Sequence, residues 1–244
     1  IDTNPDSRKE WRYLASLIHD MNAHNKSKRY QILSMIDTAQ KYSDEKFFHV
    51  YQFDWTGRMY PVTAHFHPQG NDIARGLHIF HKGAAINNKK QLNWLAIAGA
   101  NHWGLNKESY EERLEWAYIA GTDLALQIYD DPIAHVDIWG KAKEPWQFLG
   151  WCKEWAEYQR DGWGYVSHHV CCLDGTNNGY QHIAGLTGNQ HLANKVNLQN
   201  VNKPQDLYAQ ILEVLLKELE KDDKPEAKEW LEGKDKLTRK FIKK

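Results

Sequence analysis

Apolar side chains recur at helical spacing near the start of the chain. Residues 8–23 and residues 29–42 each place apolar side chains three or four positions apart. That spacing lines one face of an α-helix, so both segments are predicted to be helices. The polar segment between them, HNKSKR, predicts a link between the two helices. This segment is either a solvated connection between helices or a site whose Lys and Arg side chains contact the phosphates of a nucleic-acid backbone.

The pattern changes at two places to one that is typical of strands. Residues 47–62 are rich in aromatic and β-branched side chains, and Thr56-Gly57 interrupts them. This predicts a strand, a tight turn and a second strand. Residues 165–174, YVSHHVCCLD, form another β-type run, which ends at Asp174.

Most of the remaining chain has the periodicity of amphipathic or buried helices. Ser109 and Glu112 form a capping-box pattern, and Pro145 and Gly162 flank another predicted helix. The predicted helices are 73–81, 91–104, 109–130, 144–162, 179–196 and 203–221, followed by a charged connection, DDKPEAKEWLEGKDK, and a basic helix that begins in KLTRKFIKK. This order predicts a predominantly helical α+β fold with a small antiparallel sheet, rather than an alternating βαβ chain.

The composition limits the classes of protein to which this chain can belong. The 244 residues carry a formal net charge of -1, so a nucleic-acid partner would need a local basic patch. No apolar run approaches the roughly 20 residues of a membrane span, and the polar start, IDTNPDSRKE, is not a signal peptide. Three cysteines, two of them adjacent, argue against a disulfide scaffold and for a reducing compartment. Eleven tryptophans predict an aromatic core, with stacking surfaces as the alternative.

Both ends of the sequence are abrupt. The chain begins without an initiator methionine, and it ends in the basic, half-apolar run LTRKFIKK. We therefore expect it to be a fragment of a longer protein at both ends.

The stretch LDGTNNGYQH, around Asp174, carries the most chemistry. A carboxylate at the end of a strand, followed by glycines and small polar residues, can present oxygen ligands to a hard cation such as magnesium. The glycines allow a bulky ligand to approach the backbone. The alternative is an ordinary Asp-Gly turn.

The motifs of this chain resemble those of the single-subunit RNA polymerases, the bacteriophage-type enzymes related to mitochondrial RNA polymerase. DGTNNGYQH resembles the first catalytic motif of that family, D-G-[ST]-x-[NS]-G-x-Q-H. FDWTGRMYPV resembles its D-W-x-G-R-x-Y segment, and HPQGNDIARGL resembles its N-P-Q-G-N-D segment. WLAIAGANHWG is similar to the apolar helix that follows, and TRKFIKK fits R-x-x-x-K at the start of the second catalytic motif. These matches occur in the family's order.

The resemblance implies a role for each matching residue. Asp174 would be the first of two metal-binding aspartates, and Gly175 would offer its carbonyl to the metal. The metal would be magnesium, with two ions in the full enzyme. Arg239 and Lys243 would reach the triphosphate of the incoming NTP, and Lys243 would be catalytic together with Asp174. Tyr208, in QDLYAQIL, matches a Tyr on the family's helix beyond the first motif and would also bind the nucleotide. Arg58 would contact the nucleic acid.

These roles agree with the chemistry of phosphoryl transfer. The reaction needs in-line positioning and positive charge where charge builds on oxygen. Arg239 and Lys243 are four residues apart, so a helix places both on one face. Arginine can bind phosphate through two parallel N–H hydrogen bonds, whereas lysine acts as a point charge.

The resemblance also implies an architecture and partners. It predicts part of a right-hand polymerase with residues 1–46 as the base of the thumb, 47–190 as the first part of the palm with its small antiparallel sheet, and 191–244 as the start of the fingers. The partners would be a double-stranded DNA template, nascent RNA and NTPs, without a membrane, and the full-length enzyme would be monomeric. The N-P-Q-G-N-D-like segment favours the phage branch, hence the cytoplasm of an infected bacterium, with the mitochondrial matrix as the alternative.

Two parts of the family's pattern do not appear in the sequence. The second motif would continue beyond Lys243 to a Tyr-Gly pair, and the third, His-Asp-Asp, would bring the second metal-binding aspartate. His19-Asp20 lies on a predicted amphipathic helix and lacks a second Asp. One aspartate does not hold two metals alone, so we expect the isolated chain to be inactive.

Two other functions fit parts of the sequence. A non-catalytic nucleic-acid-binding module derived from a polymerase would keep Arg58 and the basic patches but would not need Asp174. A metal-dependent hydrolase would need further acidic ligands, for which Asp54 and Asp161 are the candidates.

A zinc site is disfavoured because the histidines at 65, 67, 78 and 81 have no cysteine nearby. His168 and His169 are adjacent in a predicted strand and would face opposite sides.

Overall fold

The computed structural model describes residues 5–173, 175–199, 202–233 and 236–243. These residues form two compact units. The first unit comprises the described residues up to Gly104 together with Ala117–Val170, and the second comprises Leu105–Trp116 together with the described residues from Cys171 onward.

The described residues are mainly helical, with two short antiparallel sheets. The elements of the first half are α1 (Pro5–Lys41), β1 (Tyr51–Phe53), β2 (Met59–Pro61), α2 (Asp72–Gly76), β3 (Ala84–Ala85), α3 (Lys89–Trp103), α4 (Tyr110–Trp116), a π-helical segment (Ala117–Gly121) and α5 (Thr122–Asp130). The second half contains α6 (Val136–Trp139), α7 (Pro145–Asp161), β4 (Val166–Ser167), α8 (Asn178–Thr187), α9 (Gln190–Lys195), α10 (Leu207–Leu219), α11 (Pro225–Glu232) and α12 (Arg239–Lys243). Strand β1 pairs with β2, and β3 pairs with β4. The predicted helical α+β class is confirmed at this level.

The first helix differs from the prediction. Helix α1 runs without a break through HNKSKR, where a link between two helices was expected. That segment contains neither glycine nor proline, so its backbone can continue the helix at little cost. Near its end, Met35 is buried against Phe66 and the α2 residues Ile73 and Ala74.

The core of the first unit is built around α7. Phe148, Trp151 and Trp155 are completely buried, and their rings stack in sequence, with centroids 5.5 Å and then 5.3 Å apart. Each buried indole N–H has an acceptor: Trp151 donates to the Leu95 carbonyl on α3, and Trp155 donates to Thr122 Oγ1 at the start of α5. Satisfying these donors removes the cost of burying them. The predicted aromatic core is therefore present.

Local sequence signals account for several helix ends. Ser109 and Glu112 form the predicted capping box, since the Glu112 carboxylate accepts from the Ser109 N–H and the Ser109 hydroxyl accepts from the Glu112 N–H. Pro145 begins α7, and Gly162 follows its last residue with a positive φ of 73°.

Five other predictions needed correction. The helix predicted over 73–81 is shorter, since α2 (Asp72–Gly76) ends at Gly76. The helix predicted over 109–130 contains the π-helical segment, and the helix predicted over 179–196 divides into α8 and α9. The division follows from Gly188, whose left-handed φ of 64° ends α8, and from the Asn189 side chain, which caps α9. The β-type run 165–174 pairs only over Val166–Ser167 among the described residues. Part of the predicted charged connection is helix α11, with proline in its first turn.

The second unit consists of helices in the part that is described. Helix α8 packs on α9, while α11 and α12 both pack on α10. Asp206 caps α10 by accepting a hydrogen bond from the Ala209 N–H. In neither unit does a described helix combine the length and apolar character needed to cross a membrane.

Candidate functional site

The segment that leads toward Asp174 is anchored to the core of the first unit. Strand β4 pairs with β3, and just beyond it the His168 N–H donates to the Glu154 carboxylate on α7. The Tyr165 hydroxyl lies 3.1 Å from the same carboxylate and 2.9 Å from that of Glu157, and its single proton is shared between these two acceptors. Burial and these two carboxylates raise the pKa of Tyr165, so the phenol stays protonated as a donor. These contacts fix the backbone a few residues before Asp174.

A second anchor connects the same segment to α3. His169 and His102 share a hydrogen bond of 3.2 Å between their Nε2 atoms. The other nitrogen of His102 donates to the Glu144 carboxylate at 2.8 Å, which in turn accepts from Arg75. The bond from His102 holds the pKa of Glu144 below its ordinary value, with the Arg75 charge acting in the same direction. Burial lowers the pKa of His169 to about 3, so its ring is neutral.

Sequence reasoning did not identify this network. Arg75 lies on α2, His102 lies on α3 and Glu144 immediately precedes α7, and no short motif joins them. The predicted opposite orientation of the two adjacent histidines agrees with their contacts. His168 donates through Nδ1 to the Phe80 carbonyl, whereas His169 contacts His102.

The residue expected to bind metal, Asp174, lies outside the described residues. The next residue is described: the Oδ1 atom of Asn178 occupies the space that a Cβ at Gly175 would need, so the turn accepts only glycine there without a shift. Asn177 follows with a left-handed φ of 57° and precedes α8. The Gly175 backbone carbonyl and the Asn178 amide oxygen are hard donors, which suit magnesium better than a soft metal.

The residues expected to bind nucleotide lie in the second unit, and two of them are in contact. The Arg239 guanidinium lies over the Tyr208 ring, with 5.9 Å between its central carbon and the ring centroid. Helices α10 and α12 pack together and create this contact. Lys243 lies four residues after Arg239 on α12, so both cations share one helix face.

An acidic residue that the sequence did not single out lies beside Arg239. Asp206 accepts from Arg239 Nε at 2.7 Å and pairs with Lys107 at 3.3 Å. Partial burial opposes ionisation of Asp206, but hydrogen bonds from Arg239 and the Ala209 N–H, with the nearby cations, outweigh it. The pKa of Asp206 therefore lies below its ordinary value. The local signal in the sequence was an Asp immediately before the apolar run that begins at Leu207, since Asp is one of the residue types favoured at a helix N-cap.

Arg58, the residue expected to contact nucleic acid, lies in the β1–β2 turn. Asp54 Oδ1 accepts hydrogen bonds from Thr56 N–H, Thr56 Oγ1 and Arg58 N–H, which fixes the turn. The Thr56 hydroxyl is the main cause of the lowered pKa of Asp54. Gly57 supplies the positive φ of 78°. The neighbouring Trp55 is 96% exposed, so the turn presents an aromatic ring beside a cation.

The alternative metal ligands have structural partners. Asp54 fixes the hairpin turn, and Asp161 pairs with Arg160 at 2.7 Å. In the described part of the chain, no three His, Cys, Asp or Glu side chains are grouped so that they could hold a metal ion.

Comparison with known proteins identifies the family. The family model of DNA-dependent RNA polymerase matches residues 86–244. The mitochondrial DNA-directed RNA polymerase of Schizosaccharomyces pombe is 32% identical over 98% of this chain and 21% of its own length. The T7 RNA polymerase of Escherichia phage T7 is 31% identical over 85% of this chain and 23% of its own length. The human mitochondrial enzyme is 35% identical over 83% of this chain and 16% of its own length.

The chain thus spans about a fifth of the length of the curated relatives that it matches. Phage and mitochondrial relatives have similar identity to it, as expected for two branches of one family. The family model and these relatives together show that the chain belongs to the single-subunit, bacteriophage-type family of DNA-dependent RNA polymerases.

Proposed function

We propose that this chain is the part of a DNA-directed RNA polymerase that carries the first metal-binding carboxylate and the start of the nucleotide-binding helix. The observation that carries the proposal is the combination of the DGTNNGYQH motif with the contact between Arg239 and Tyr208. These positions were assigned to the metal and to the nucleotide from sequence motifs alone. The contact supports the nucleotide assignment, because residues 31 positions apart meet on neighbouring helices.

In this proposal, Asp174 and the Gly175 carbonyl would hold magnesium. Magnesium, when bound, supplies positive charge to the attacking 3′ hydroxyl and to the leaving pyrophosphate. A side chain at position 175 would need the space that the Asn178 amide oxygen occupies, so the Asn178 side chain would have to shift. The full enzyme holds two ions, and a second aspartate from elsewhere completes their ligands.

Arg239 and Lys243 bind the triphosphate of the incoming NTP in this proposal. The terminal nitrogens of arginine fit two phosphate oxygens, and lysine adds a point charge one helical turn away. Their combined charge offsets the negative charge that develops on the phosphate oxygens during transfer. The Tyr208 ring lies beside the Arg239 guanidinium, with 5.9 Å between the central carbon and the ring centroid.

Arg58 contacts the nucleic acid from the tip of the β1–β2 hairpin in the same proposal. The turn is rigid because Asp54 accepts three hydrogen bonds within it, so the cation is presented on a fixed base. Phosphate contacts of this kind position a protein on nucleic acid without reading its sequence. The DNA template and the nascent RNA are the partners proposed for this surface.

The division into thumb base (1–46), first palm part (47–190) and finger start (191–244) is part of the same proposal. So are a monomeric full-length enzyme and its location, either in a phage-infected bacterium or in the mitochondrial matrix. The isolated chain is proposed to be inactive because it lacks the His-Asp-Asp motif with the second aspartate.

The first experiment is to sequence the gene beyond the codon for Lys244 and to assay its complete product for RNA extension on a DNA template. A Tyr-Gly pair within about two helical turns and a later His-Asp-Asp motif are expected, as is magnesium-dependent extension. Asp174→Asn should abolish extension while leaving DNA affinity unchanged, and Asp161→Asn is the matched control. A stop codon after Lys244, or full activity in Asp174→Asn, would contradict the proposal. DNA binding by the wild-type gene product without any RNA extension would favour a non-catalytic binding module.

A further inference from the structure

Asp206 contacts two cations and a helix end in the second unit. Its Oδ2 atom lies 2.7 Å from Arg239 Nε and 3.3 Å from Lys107 Nζ, and its Oδ1 atom accepts from the Ala209 N–H. The side chain is only 19% exposed, whereas those of Arg239 and Lys107 are 44% and 53% exposed. The carboxylate is therefore the most buried member of the group, and the two cations are more exposed to solvent.

Arg239 is held on two sides. The carboxylate accepts a hydrogen bond from its Nε atom, and the central carbon of the guanidinium lies over the Tyr208 ring, 5.9 Å from the ring centroid. Both supports belong to the start of α10, which the Asp206 cap itself stabilises. Among the described residues, the terminal nitrogens of Arg239 make no hydrogen bond. The bond to Nε thus orients the guanidinium. Within the described part of the chain, its two terminal nitrogens are left for a bidentate contact with phosphate.

Lys107 explains how a carboxylate can lie so close to a phosphate-binding group. A lone aspartate beside Arg239 would repel a triphosphate and weaken its binding. Here two cations share one carboxylate, so the group of three keeps a net positive charge. The positioning contact therefore does not cancel the attraction for phosphate.

We propose that Asp206 is a positioning residue that orients Arg239 toward the triphosphate of the incoming nucleotide. This inference rests on the proposed function of Arg239 and adds a residue that the motif resemblance did not assign. Asp206 acts through Arg239, without contact with the nucleotide. Its removal leaves Arg239 free to sample several rotamers, and the nucleotide must then order this side chain upon binding. Ordering one such side chain corresponds to a loss of affinity of about three- to ten-fold.

The informative substitution is Asp206→Ser in the complete gene product. Serine is a good N-cap, so α10 keeps its cap, but the shorter side chain does not reach Arg239. The KM for NTP should rise about three- to ten-fold, with kcat and the thermal unfolding temperature nearly unchanged. Asp206→Asn, which keeps an acceptor of the same length, should recover part of the loss. In an Arg239→Gln background, Asp206→Ser should have no further effect, because the residue on which it acts is gone.

Binding of inorganic tripolyphosphate, measured by calorimetry, gives a second readout that needs no catalysis. Asp206→Ser should weaken this binding by a factor similar to the rise in KM. An unchanged KM and unchanged tripolyphosphate affinity would overturn the inference, as would an equal effect of Asp206→Ser with and without Arg239. The proposed function fails separately, if Asp174→Asn retains full extension activity. If the wild-type protein extends no RNA, the tripolyphosphate measurement still decides the role of Asp206. Absence of tripolyphosphate binding by the wild-type protein would overturn the inference.

Discussion

Gly99 lies directly beneath the indole ring of Trp151, so that a Cβ at position 99 would overlap ring atoms. The two residues join α3 to α7, and Trp151 also donates its indole N–H to the Leu95 carbonyl one helical turn before Gly99. The ring is completely buried and stacked between Phe148 and Trp155, so it has no space into which it can move. The absence of a side chain at Gly99 therefore sets the distance between these helices.

Gly99→Ala should destabilise the first unit by about 1–3 kcal/mol, the usual cost of overpacking a rigid core. The measurement is amide hydrogen exchange, which should be faster in α3 and α7 of the variant than in the wild-type protein. Gly150→Ala is the matched control, because position 150 is also helical and a methyl group there would have no neighbouring atom within 4 Å. The control should be neutral or slightly stabilising. Equal effects of both substitutions would contradict this interpretation of Gly99.

Thr122→Val should destabilise the same core by leaving a buried donor without a partner. The Thr122 hydroxyl accepts from the Trp155 indole N–H and donates to the Ala117 carbonyl in the π-helical segment. Loss of such an acceptor costs about 1–3 kcal/mol. Thr122→Ser keeps the hydroxyl and should retain most of the stability. The test is the midpoint of urea unfolding, monitored by tryptophan fluorescence. A Thr122→Ser variant as unstable as Thr122→Val would refute this prediction.

Acidification should destabilise the first unit through His49 and His78. Their Nε2 atoms share a hydrogen bond of 2.9 Å, and His78 Nδ1 donates to the Ala74 carbonyl. Burial lowers the pKa of both histidines, and the nearby His67 lowers both further. Between the ordinary value of about 6.5 and the lowered pKa, the unfolded chain binds more protons than the folded one. The stability is thus complete above about pH 6.5 and falls as the pH decreases.

The check is the urea midpoint of the wild-type protein at pH 7.5 and at pH 5.5. His49→Phe is the control, because Phe47 and Phe66 already pack around this position and phenylalanine does not titrate. Part of the pH dependence should remain in the variant, since His169 titrates in the same direction. An identical pH dependence in both proteins would exclude the His49–His78 pair as a cause.

Lys243→Ala should reduce kcat/KM for NTP in the complete gene product by roughly ten- to hundred-fold, the usual value of a charged hydrogen bond. Lys240→Ala removes the same charge from α12 but from a different helix face, since only Lys243 is four residues from Arg239. Single-nucleotide extension at varied NTP concentration separates the two variants. A similar loss in both would indicate general charge attraction rather than a specific phosphate contact.

Arg58→Ala should weaken nucleic-acid binding of the complete gene product and reduce its salt dependence. Removal of one phosphate contact lowers the slope of log affinity against log salt by about one. Arg58→Lys keeps the charge and should preserve most of the slope. Fluorescence anisotropy with a labelled duplex at several salt concentrations measures it. A slope that is unchanged in Arg58→Ala would exclude the phosphate contact proposed for the hairpin.

Local signals predicted much of the secondary structure. Thr56-Gly57 marked the hairpin, Ser109 with Glu112 marked a helix start, and Pro145 with Gly162 marked both ends of α7. These features act over a few residues, where the type of side chain decides the backbone conformation. The errors occurred where several local states compete, as in the continuous α1, the π-helical segment and the helix α11.

The sequence by itself determined the family, because motif residues such as those around Asp174 are read directly from their order. It also determined which residues are candidates for metal, nucleotide and nucleic acid. Only the tertiary structure decided which groups support them. The contacts of Arg239 with Asp206 and Tyr208, and of His102 with Glu144 and His169, join residues that are far apart in the chain. Such contacts depend on how helices pack, and short-range patterns do not encode which distant side chains that packing brings together.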